Sequence, residues 1–332
     1  MSLDTEVSVD QNIVSRVLIT GANGFIGNTL MRYYKQQGTA VIGVDLLGNG
    51  DDIVRGDISV PETIVHLLAQ CDVIVHTAAL VSNAMQDSDM WRVNVLATRN
   101  LIAAAKHQKV RRFVQISSIV AYGNSAQGEL DENYPVHADG GSYVLTKLAS
   151  EHAVLAAQAS GGIEVVILRP GDVYGPGSRP WIIAPLEAIA KNQFMLPAKG
   201  EGFFRPIYVD DLIRGIDLAV RQPEAAGEIF NLSCDGYIST KEYFAPHYQW
   251  LGKKGPILVS TPVAHCISTI ASKIADLTGK LNEASPATVA QLATRSWFSI
   301  DKAERILGWK PIITFEDGMQ RSHQWAKDVN LV

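Results

Sequence analysis

The sequence predicts an α/β protein with a doubly wound parallel sheet and a smaller C-terminal lobe that would bind a substrate. Two observations carry the prediction. Short apolar runs alternate with helix-like segments from Arg16 to Arg169, and each run is continuously apolar, as in strands covered on both faces. Repeated strand–helix units of this kind form a parallel sheet with helices on both sides.

The predicted elements of the sheet region are short strands and two clear helices. The strands cover residues 17–19, 41–44, 73–75, 113–116 and 165–168, and the helices cover 61–70 and 89–107. In the second helix Asp89 is the expected N-cap. One apolar face of that helix is formed by Val93, Leu96, Ala97, Leu101 and Ala104.

After Arg169, repeated prolines and glycines break the chain into shorter elements. Helices are predicted near 183–192, 210–221, 240–251, 262–280 and 300–307, and strands near 207–209 and 229–232. We therefore expect a flexible leader over 1–12, a nucleotide-binding domain over 13–169 and a lobe over 170–332. Some segments of 170–332 would return to the sheet.

Segment 262–280 carries an apolar stripe at helical spacing. Its members are Val263, Ile267, Ile270, Ala271, Ile274 and Leu277. Packing of this stripe against the lobe is favoured. A substrate lid or a membrane-surface helix is the alternative, but the polar face lacks the dense lysine and arginine expected of the latter.

Composition narrows the class of protein. The chain has 332 residues, of which 47% are hydrophobic and 19% charged, and its formal net charge is −5. It has no basic surplus for nucleic acid, no apolar run long enough to span a bilayer and no cationic, apolar secretory start. The three cysteines lack metal-type spacing. We expect a cytoplasmic protein that acts on a small molecule and holds no metal.

The glycines of Gly21-Ala22-Asn23-Gly24-Phe25-Ile26-Gly27 follow an apolar run and open a helix-like segment. Glycine allows positive φ and close backbone approach, and the new helix directs its N-terminal N–H groups at an anion. The spacing departs from the common Gly-x-Gly-x-x-Gly fingerprint. A second apolar run ends in Asp45, 18 residues after Gly27. An acid near that offset contacts adenosine ribose hydroxyls, so the pattern predicts a dinucleotide site that prefers NAD to NADP.

Tyr143 and Lys147 stand four residues apart, so a helix would place both on one face. A neighbouring ammonium favours the phenolate and would lower the pKa of the tyrosine, which suits proton exchange with an alcohol or ketone. Ser118 follows the strand 113–116, at the same edge of the sheet, where its hydroxyl could hold the substrate oxygen. Alternatively, Ser117 and Ser118 satisfy backbone groups where the strand ends.

Together these motifs resemble an extended short-chain dehydrogenase/reductase. That group includes nucleotide-sugar epimerases and dehydratases, 3β-hydroxysteroid dehydrogenases and dihydroflavonol reductases. The resemblance runs from about Arg16 to Trp325 and implies a Rossmann-type fold with NAD as cofactor. It rests on residues 20–27, Gly56-Asp57, His76-Thr77-Ala78-Ala79, Ser117-Ser118 with Tyr122-Gly123, Tyr143-x-x-x-Lys147, Arg169-Pro170 with 173–177, 209–211 and 307–311.

The resemblance also implies roles for individual residues. Ser118, Tyr143 and Lys147 would be catalytic, with Tyr143 as the acid/base. The cofactor would be held by Gly21, Asn23, Gly24, Phe25, Ile26, Gly27, Asp45, Asp57, Ile58, Thr77, Ala78, Ala79, Tyr143, Lys147, Pro170 and Val173. The substrate would lie near Ser82, Asp172, Arg205 and Tyr208. The group often dimerises through helices that match 89–107 and 142–158, which implies a homodimer.

The sequence leaves two enzyme classes open for the reaction. Asp172 stands where sugar-nucleotide enzymes usually carry asparagine, and a carboxylate there would repel a diphosphate, which favours an oxidoreductase acting on a secondary alcohol or ketone. Arg205 lies in a segment where epimerases place a diphosphate-binding arginine, unless it forms a salt bridge to Asp172 or Asp210. The oxidoreductase is favoured over the epimerase or dehydratase. A non-catalytic NAD-binding protein is the third hypothesis.

Overall fold

The computed structural model describes residues 14–49, 52–82, 85–278 and 284–332, so the expected leader over 1–12 lies outside the described residues. The strands are β1 (Arg16–Thr20), β2 (Ala40–Asp45), β3 (Ile53–Arg55), β4 (Val73–His76), β5 (Arg112–Ile116), β6 (Gln127–Leu130), β7 (Glu164–Pro170), β8 (Asp172–Tyr174), β9 (Phe203–Phe204), β10 (Pro206–Tyr208), β11 (Ile229–Leu232), β12 (Ile238–Ser239) and β13 (Arg295–Phe298).

The helices lie between and after these strands. They are α1 (Phe25–Gln36), α2 (Val65–Leu68), α3 (Asp87–Met90), α4 (Thr98–His107), α5 (Ser142–Ala159), α6 (Ala184–Ala190), α7 (Val209–Arg221), α8 (Thr240–Trp250), α9 (Thr261–Thr278), α10 (Pro286–Leu292), α11 (Asp301–Leu307) and α12 (Phe315–Asp328). Trp91–Ala97 and Arg179–Ile183 are π-helical.

The central sheet has seven parallel strands in the order β11-β7-β5-β4-β1-β2-β3. Its side chains alternate between two buried layers. Val17 and Ile19 join an apolar cluster with Leu30 of α1, whereas Leu18 joins a second cluster with Leu101 of α4. Because both faces are covered, the strands appear in the sequence as continuous apolar runs. The predicted doubly wound α/β fold is confirmed.

The strand order reverses between β1 and β4, which creates a crevice at the carboxyl ends of these strands. The register pairs Thr20 of β1 with Val44 of β2 on one side and with His76 of β4 on the other. His76 in turn pairs with Gln115 of β5. Ligands of open α/β sheets bind at such a reversal. The fold therefore brings the ends of β1, β2, β4 and β5 to one edge.

The C-terminal half of the chain returns to this sheet as well as covering its edge. Strand β11 adds to β7 as the outer strand, and α7 packs beside α1 on one face. The remaining strands form small pairs, β8 with β10, β9 with β12 and β6 with β13. The third pair joins residues on both sides of position 169. The division at 169 stays a prediction, because strands before this position pair with strands after it.

The helix predicted over 89–107 is longer and is interrupted by a π-helical stretch. Asp89 is not its N-cap, because helical structure begins at Asp87, after Gln86. The wider π turns of Trp91–Ala97 rotate the following helix. As a result Leu96 is exposed, and Ile102 and Ala105 are buried instead. The predicted apolar face was therefore partly wrong.

The prediction for the apolar stripe of α9 was also wrong. Ala264, Ser268 and Ala275 face the protein, whereas the larger side chains at the predicted stripe point outwards. Small residues allow the helix to lie close to α10, which it contacts. Among the described helices, none combines the length and apolar character needed to cross a bilayer.

His76 gives a prediction for stability. This side chain is 1% exposed, and its ring nitrogens lie 2.6 Å from Thr20 Oγ1 and 2.9 Å from Thr98 Oγ1. Burial, with a smaller contribution from the Lys147 charge, lowers the pKa of His76 to about 3. Between about pH 6.5 and pH 3 the unfolded chain therefore binds a proton that the folded chain does not, and stability falls as the pH falls.

We expect the free energy by which wild type exceeds His76→Gln to shrink on acidification from pH 6.5, by up to about 1.4 kcal/mol per pH unit. The measurement is urea unfolding of both proteins at several pH values. The exposed Gln37→Asn variant, which changes no titratable group, is the control and should keep a constant difference from wild type. A constant difference for His76→Gln would contradict the assignment.

Candidate active site

The glycine turn between β1 and α1 requires two glycines for steric reasons. Gly21 has a φ of 69°, and a Cβ atom there would lie 2.7 Å from the Cα of Ala78. A Cβ on Gly27 would collide with the carbonyl oxygen of Gly21. Without side chains at these two positions, the backbone of the turn can lie close to the segment after β4.

The start of α1 is arranged to receive an anion. Its N-cap, Gly24, offers no side-chain acceptor to the first turn, which begins with Phe25 and Ile26. The backbone N–H of Asn23 donates to Asp45 Oδ2 at 3.0 Å, and the Asn23 side-chain amide donates to the Leu47 carbonyl. Asp45 thus lies at the end of β2 beside the glycine turn. A dinucleotide pyrophosphate at the helix N-terminus, with its ribose at Asp45, fits this geometry.

The segment after β4 forms the opposite side of the crevice. Thr77 Oγ1 donates to the Thr20 carbonyl at 2.7 Å, and Thr77, Ala78 and Ala79 are half-buried along the edge. Leu80 is held by Asn94, whose Oδ1 accepts from the Leu80 N–H at 2.7 Å. Half-buried Ser82 follows two residues later. These contacts fix the backbone beside Gly21.

Asp57 and Ile58 lie just beyond β3, at the outer edge of the sheet. Asp57 Oδ1 accepts from the Ser59 N–H at 2.8 Å and from the Ser59 hydroxyl at 2.7 Å. Ile58 is 8% exposed and belongs to the apolar cluster that includes Val44. Both residues are therefore near the end of β2, on the side where the adenosine half of a dinucleotide would lie.

Helix α5 brings Tyr143 and Lys147 to the end of β5. The Lys147 ammonium is 5.9 Å from the centre of the Tyr143 ring and donates to the Ile116 carbonyl at 2.9 Å. Ser118 caps the short 3₁₀ helix Ile119–Tyr122, because its Oγ accepts from the Val120 N–H at 3.3 Å. The structure therefore brings Ser118, Tyr143 and Lys147 together at one end of the sheet.

The pKa of Tyr143 shifts in the direction opposite to the sequence-based expectation. Burial raises it to about 12, a hydrogen bond with Ser118 acts against this rise, and the Asp172 charge adds to it. Burial also lowers the pKa of Lys147 to about 8, against the attraction of Glu151. Lys147 points its ammonium at a carbonyl rather than at the phenol. At neutral pH Tyr143 is therefore protonated and can donate a proton to a ketone oxygen.

Beneath these residues lies a buried ion pair that the sequence analysis did not identify. Glu151 Oε2 is 2.6 Å from Arg169 Nη2, and Glu151 Oε1 accepts from the Ser117 hydroxyl at 2.5 Å. Glu151 and Arg169 are both at most 3% exposed. Glu151 stands one helical turn after Lys147, and this spacing was the signal that could have revealed it.

Asp172 and Arg205 form a second buried ion pair, on the lobe side of the site. Their closest side-chain atoms are 3.3 Å apart, and both side chains are 5% exposed. Arg205 Nη1 also donates to the Phe203 carbonyl at 2.6 Å and to Thr294 Oγ1 at 2.8 Å. Burial raises the pKa of Asp172, and the Arg205 charge opposes the rise. Of the two partners predicted for Arg205, the structure selects Asp172.

The structure also locates three further residues that the sequence predicts for the cofactor and substrate sites. Pro170 and Val173 are buried at the end of β7 and in β8, next to Asp172. Tyr208 is 5% exposed and packs edge-on against Tyr174, under the guanidinium of Arg321. Tyr208 therefore contacts the interior of the lobe and is not brought to Tyr143. Among the described residues, no group of three or more His, Cys, Asp or Glu side chains is arranged to hold a metal ion.

Comparisons with known proteins agree with this geometry. A model described as the NAD dependent epimerase/dehydratase family matches residues 17–233. The 2-alkyl-3-oxoalkanoate reductase of Stenotrophomonas maltophilia is 26% identical over 326 residues, or 92% of this chain and 98% of the reductase.

Two further comparisons cover nearly the same length. The 3 beta-hydroxysteroid dehydrogenase/Delta 5-->4-isomerase of Mycobacterium tuberculosis strain H37Rv is 28% identical over 330 residues, or 92% of this chain and 89% of the other. The solved structure of MoeE5 in complex with UDP-glucuronic acid and NAD has a TM-score of 0.77 at 25% identity, covering 95% of this chain and 99% of that one.

The position of Tyr143 predicts the effect of removing its hydroxyl. We expect Tyr143→Phe to lower turnover by about 10²–10⁴, the usual contribution of a positioned acid or base, because the phenyl ring keeps its packing. NAD affinity, measured by fluorescence titration, should stay close to that of wild type. The buried Tyr248→Phe variant, which loses a hydroxyl that donates to the Phe194 carbonyl in the lobe, would show whether loss of any hydroxyl has this effect. Full activity of Tyr143→Phe on the true substrate would exclude Tyr143 as the acid/base.

Proposed function

Because this chain belongs to the NAD dependent epimerase/dehydratase family of extended short-chain dehydrogenases/reductases, we propose that it catalyses net hydride transfer between NAD(H) and a secondary alcohol or ketone. It is an NAD-dependent enzyme. The substrate proposed is of the kind used by 3β-hydroxysteroid dehydrogenases or dihydroflavonol reductases. The buried pair of Asp172 and Arg205 is the observation that carries this choice.

That ion pair argues against a nucleotide-sugar substrate. A diphosphate needs an available cation, but Arg205 is already opposed by Asp172 and held by Phe203 and Thr294. Bringing a diphosphate to this arginine would place it beside a buried carboxylate, where like charges repel strongly. The rings of Phe203, Tyr237 and Trp297 pack on one another, and Phe203, whose carbonyl accepts from Arg205, brings this apolar cluster to the same segment.

We assign roles to the chain's own residues as follows. Tyr143 gives a proton to the ketone oxygen, or takes one from the alcohol, and Ser118 holds that oxygen by a hydrogen bond. Lys147, fixed to the Ile116 carbonyl, lies where it can hold ribose hydroxyls. NAD, when bound, supplies or accepts the hydride. The Gly21–Gly27 turn, Asp45 and Thr77–Ala79 would hold it along the crevice.

Some relatives support this proposal, and others support the alternative. A 2-alkyl-3-oxoalkanoate reductase and a 3 beta-hydroxysteroid dehydrogenase both match this chain over nearly its whole length. The alternative, a nucleotide-sugar epimerase or dehydratase that retains NAD, has support from the Arg205 segment and from the likeness to the MoeE5 complex. A non-catalytic role is disfavoured, since Ser118, Tyr143 and Lys147 are all present.

We also propose that the protein is cytoplasmic and forms a homodimer. Cys71, Cys234 and Cys266 are all free, which suits a reducing compartment. The helical stretch from Asp87 to His107 packs beside α5, and Trp91 and Leu96 on it are 42% and 44% exposed. Large apolar side chains left outside on such a helix are suited to contact with a second subunit.

The dimer proposal predicts the effect of charges on this surface. We expect Trp91→Glu combined with Leu96→Glu to convert a dimer into a monomer, because burying unpaired charges of the same sign at an interface is costly. The measurement is the mass in solution by light scattering. Val329→Glu, which places a charge on an exposed apolar residue elsewhere, should stay dimeric. A monomeric wild type would overturn the proposal.

The substrate proposal predicts which ligands stabilise the protein. We expect UDP, dTDP and GDP to leave the melting temperature of wild type nearly unchanged, because stabilisation follows RT ln(1 + [L]/Kd) and Arg205 is already paired. Hydroxysteroids, or aryl and alkyl ketones, should support NAD reduction or NADH oxidation. Asp172→Asn should release Arg205 and create a response to nucleoside diphosphates, and Asp172→Asn with Arg205→Ala should lose it. A clear response of wild type, abolished by Arg205→Ala, would favour the epimerase hypothesis.

A further inference from the structure

Strand β3 brings an arginine to the side of Asp45, at the edge of the cofactor crevice. The register of the sheet pairs Asp45, the last residue of β2, with Arg55, the last residue of β3. The N–H of Gly56, which follows Arg55, donates to the Asp45 carbonyl at 2.8 Å and joins the two strand ends. Neighbouring strands lie about 4.8 Å apart, so the backbones of Asp45 and Arg55 are adjacent.

The side chains of Asp45 and Arg55 lie on the same face of the sheet. Side chains alternate between the two faces along each strand. Val44 and Val54, the preceding pair, both pack in the apolar cluster under α4, whereas Ile53 packs in the cluster under α1. Arg55 stands two residues after Ile53 and therefore lies on the face of α1, the helix that follows the glycine turn.

The guanidinium of Arg55 is available to a ligand. Arg55 is exposed, and β3 is the edge strand of the sheet. A Cβ on Gly48 would lie 3.2 Å from the Arg55 Cβ, so the turn after β2 passes close to this arginine. Among the described residues, no hydrogen bond or ion pair engages the guanidinium. Its charge is therefore free to meet an anion at the end of β2.

Two acids close to Arg55 in the sequence are engaged by other groups. Asp52, just before β3, forms an ion pair with Lys35 of α1, with 2.6 Å between the charged atoms. Asp57, just after β3, accepts two hydrogen bonds from the residue two positions later. Asp45 is therefore the carboxylate beside which Arg55 and the adenosine ribose of a dinucleotide would meet.

We propose that Arg55 is a second determinant of cofactor choice, positioned to bind the 2′-phosphate of NADP, so that the preference for NAD depends on Asp45 alone. A carboxylate at the end of β2 accepts hydrogen bonds from ribose hydroxyls, whereas a nearby arginine accommodates a 2′-phosphate. Here the two groups lie side by side, and the charge of Asp45 repels the phosphate that Arg55 attracts. The inference rests on the cofactor site at the glycine turn and is independent of the substrate.

Fluorescence titration of the full-length protein with NADH and NADPH tests this inference without any substrate. We expect wild type to bind NADH more tightly, and Asp45→Ser to gain about tenfold or more in NADPH affinity, as a charge-assisted hydrogen bond provides. Asp45→Ser with Arg55→Ala should lose this gain and keep the NADH affinity of Asp45→Ser. Asp45→Ser with Arg16→Ala is the matched control and should keep the gain, because Arg16 begins β1 at the opposite end of the sheet.

The melting temperature of each variant checks its folded state. Asp45 accepts a hydrogen bond from the Asn23 N–H, so Asp45→Asn, with and without Arg55→Gln, replaces the serine variants if these fail to fold. An equal loss of NADH and NADPH affinity on removal of Arg55 would overturn the proposal, because Arg55 would then contact a group that both cofactors share. A gain in NADPH affinity that persists without Arg55, or a wild type that prefers NADPH, would overturn it too. Wild type that binds neither cofactor would contradict the cofactor site itself, and this inference with it.

Discussion

The buried ion pair between Glu151 and Arg169 is the contact on which the geometry of the active site depends. Glu151 belongs to α5, two turns after Tyr143 and one after Lys147, and Arg169 belongs to β7. The same carboxylate accepts a hydrogen bond from Ser117, next to Ser118. One buried contact therefore fixes the helix with the acid/base against the strands that carry the substrate-binding serine. Removing one partner of a buried pair typically costs about 3–5 kcal/mol, so this anchor is sensitive to substitution.

The contact extends further through an aromatic ring. The Arg169 guanidinium lies 4.6 Å from the centre of the Tyr122 ring, and the Tyr122 hydroxyl donates to Asn231 at 2.8 Å. Asn231 is part of β11, which comes from the C-terminal half of the chain. The positions of α5, the 3₁₀ helix after Ser118 and the outer strand are thereby coupled. The C-terminal half of the chain therefore shares buried contacts with the sheet, although it follows most of the sheet in the sequence.

Local patterns in the sequence were sufficient for the glycine turn and for six of the seven strands of the central sheet, all except the short edge strand β3. A buried parallel strand leaves a continuous apolar run, and a close backbone approach such as that of Gly21 to Ala78 leaves a glycine, so both can be read from neighbouring residues. The helix α12 was not predicted because its buried residues, Gly318, Met319, Ser322 and Ala326, are mostly small or polar and form no apolar stripe. The apolar stripe of α9 could be read from the sequence. Its orientation could not, because the small residues on the opposite face are the ones that pack against the protein.

The candidate site was predicted where its residues are close in sequence and missed where they are far apart. Tyr143 and Lys147 are one helical turn apart, whereas the partner that Arg205 selects depends on how β8 and β10 pair. That pairing makes Asp172 affect the chemistry twice: its charge opposes Arg205, and it also raises the pKa of Tyr143. The paired state of Arg205 is therefore a consequence of this buried carboxylate, whereas Tyr143 is protonated mainly because it is buried, and the Asp172 charge adds to that effect. Asparagine at position 172 would remove the charge that opposes Arg205 and the charge that helps to raise the pKa of Tyr143. One substitution would therefore change both the availability of Arg205 to a substrate and the protonation of the acid/base.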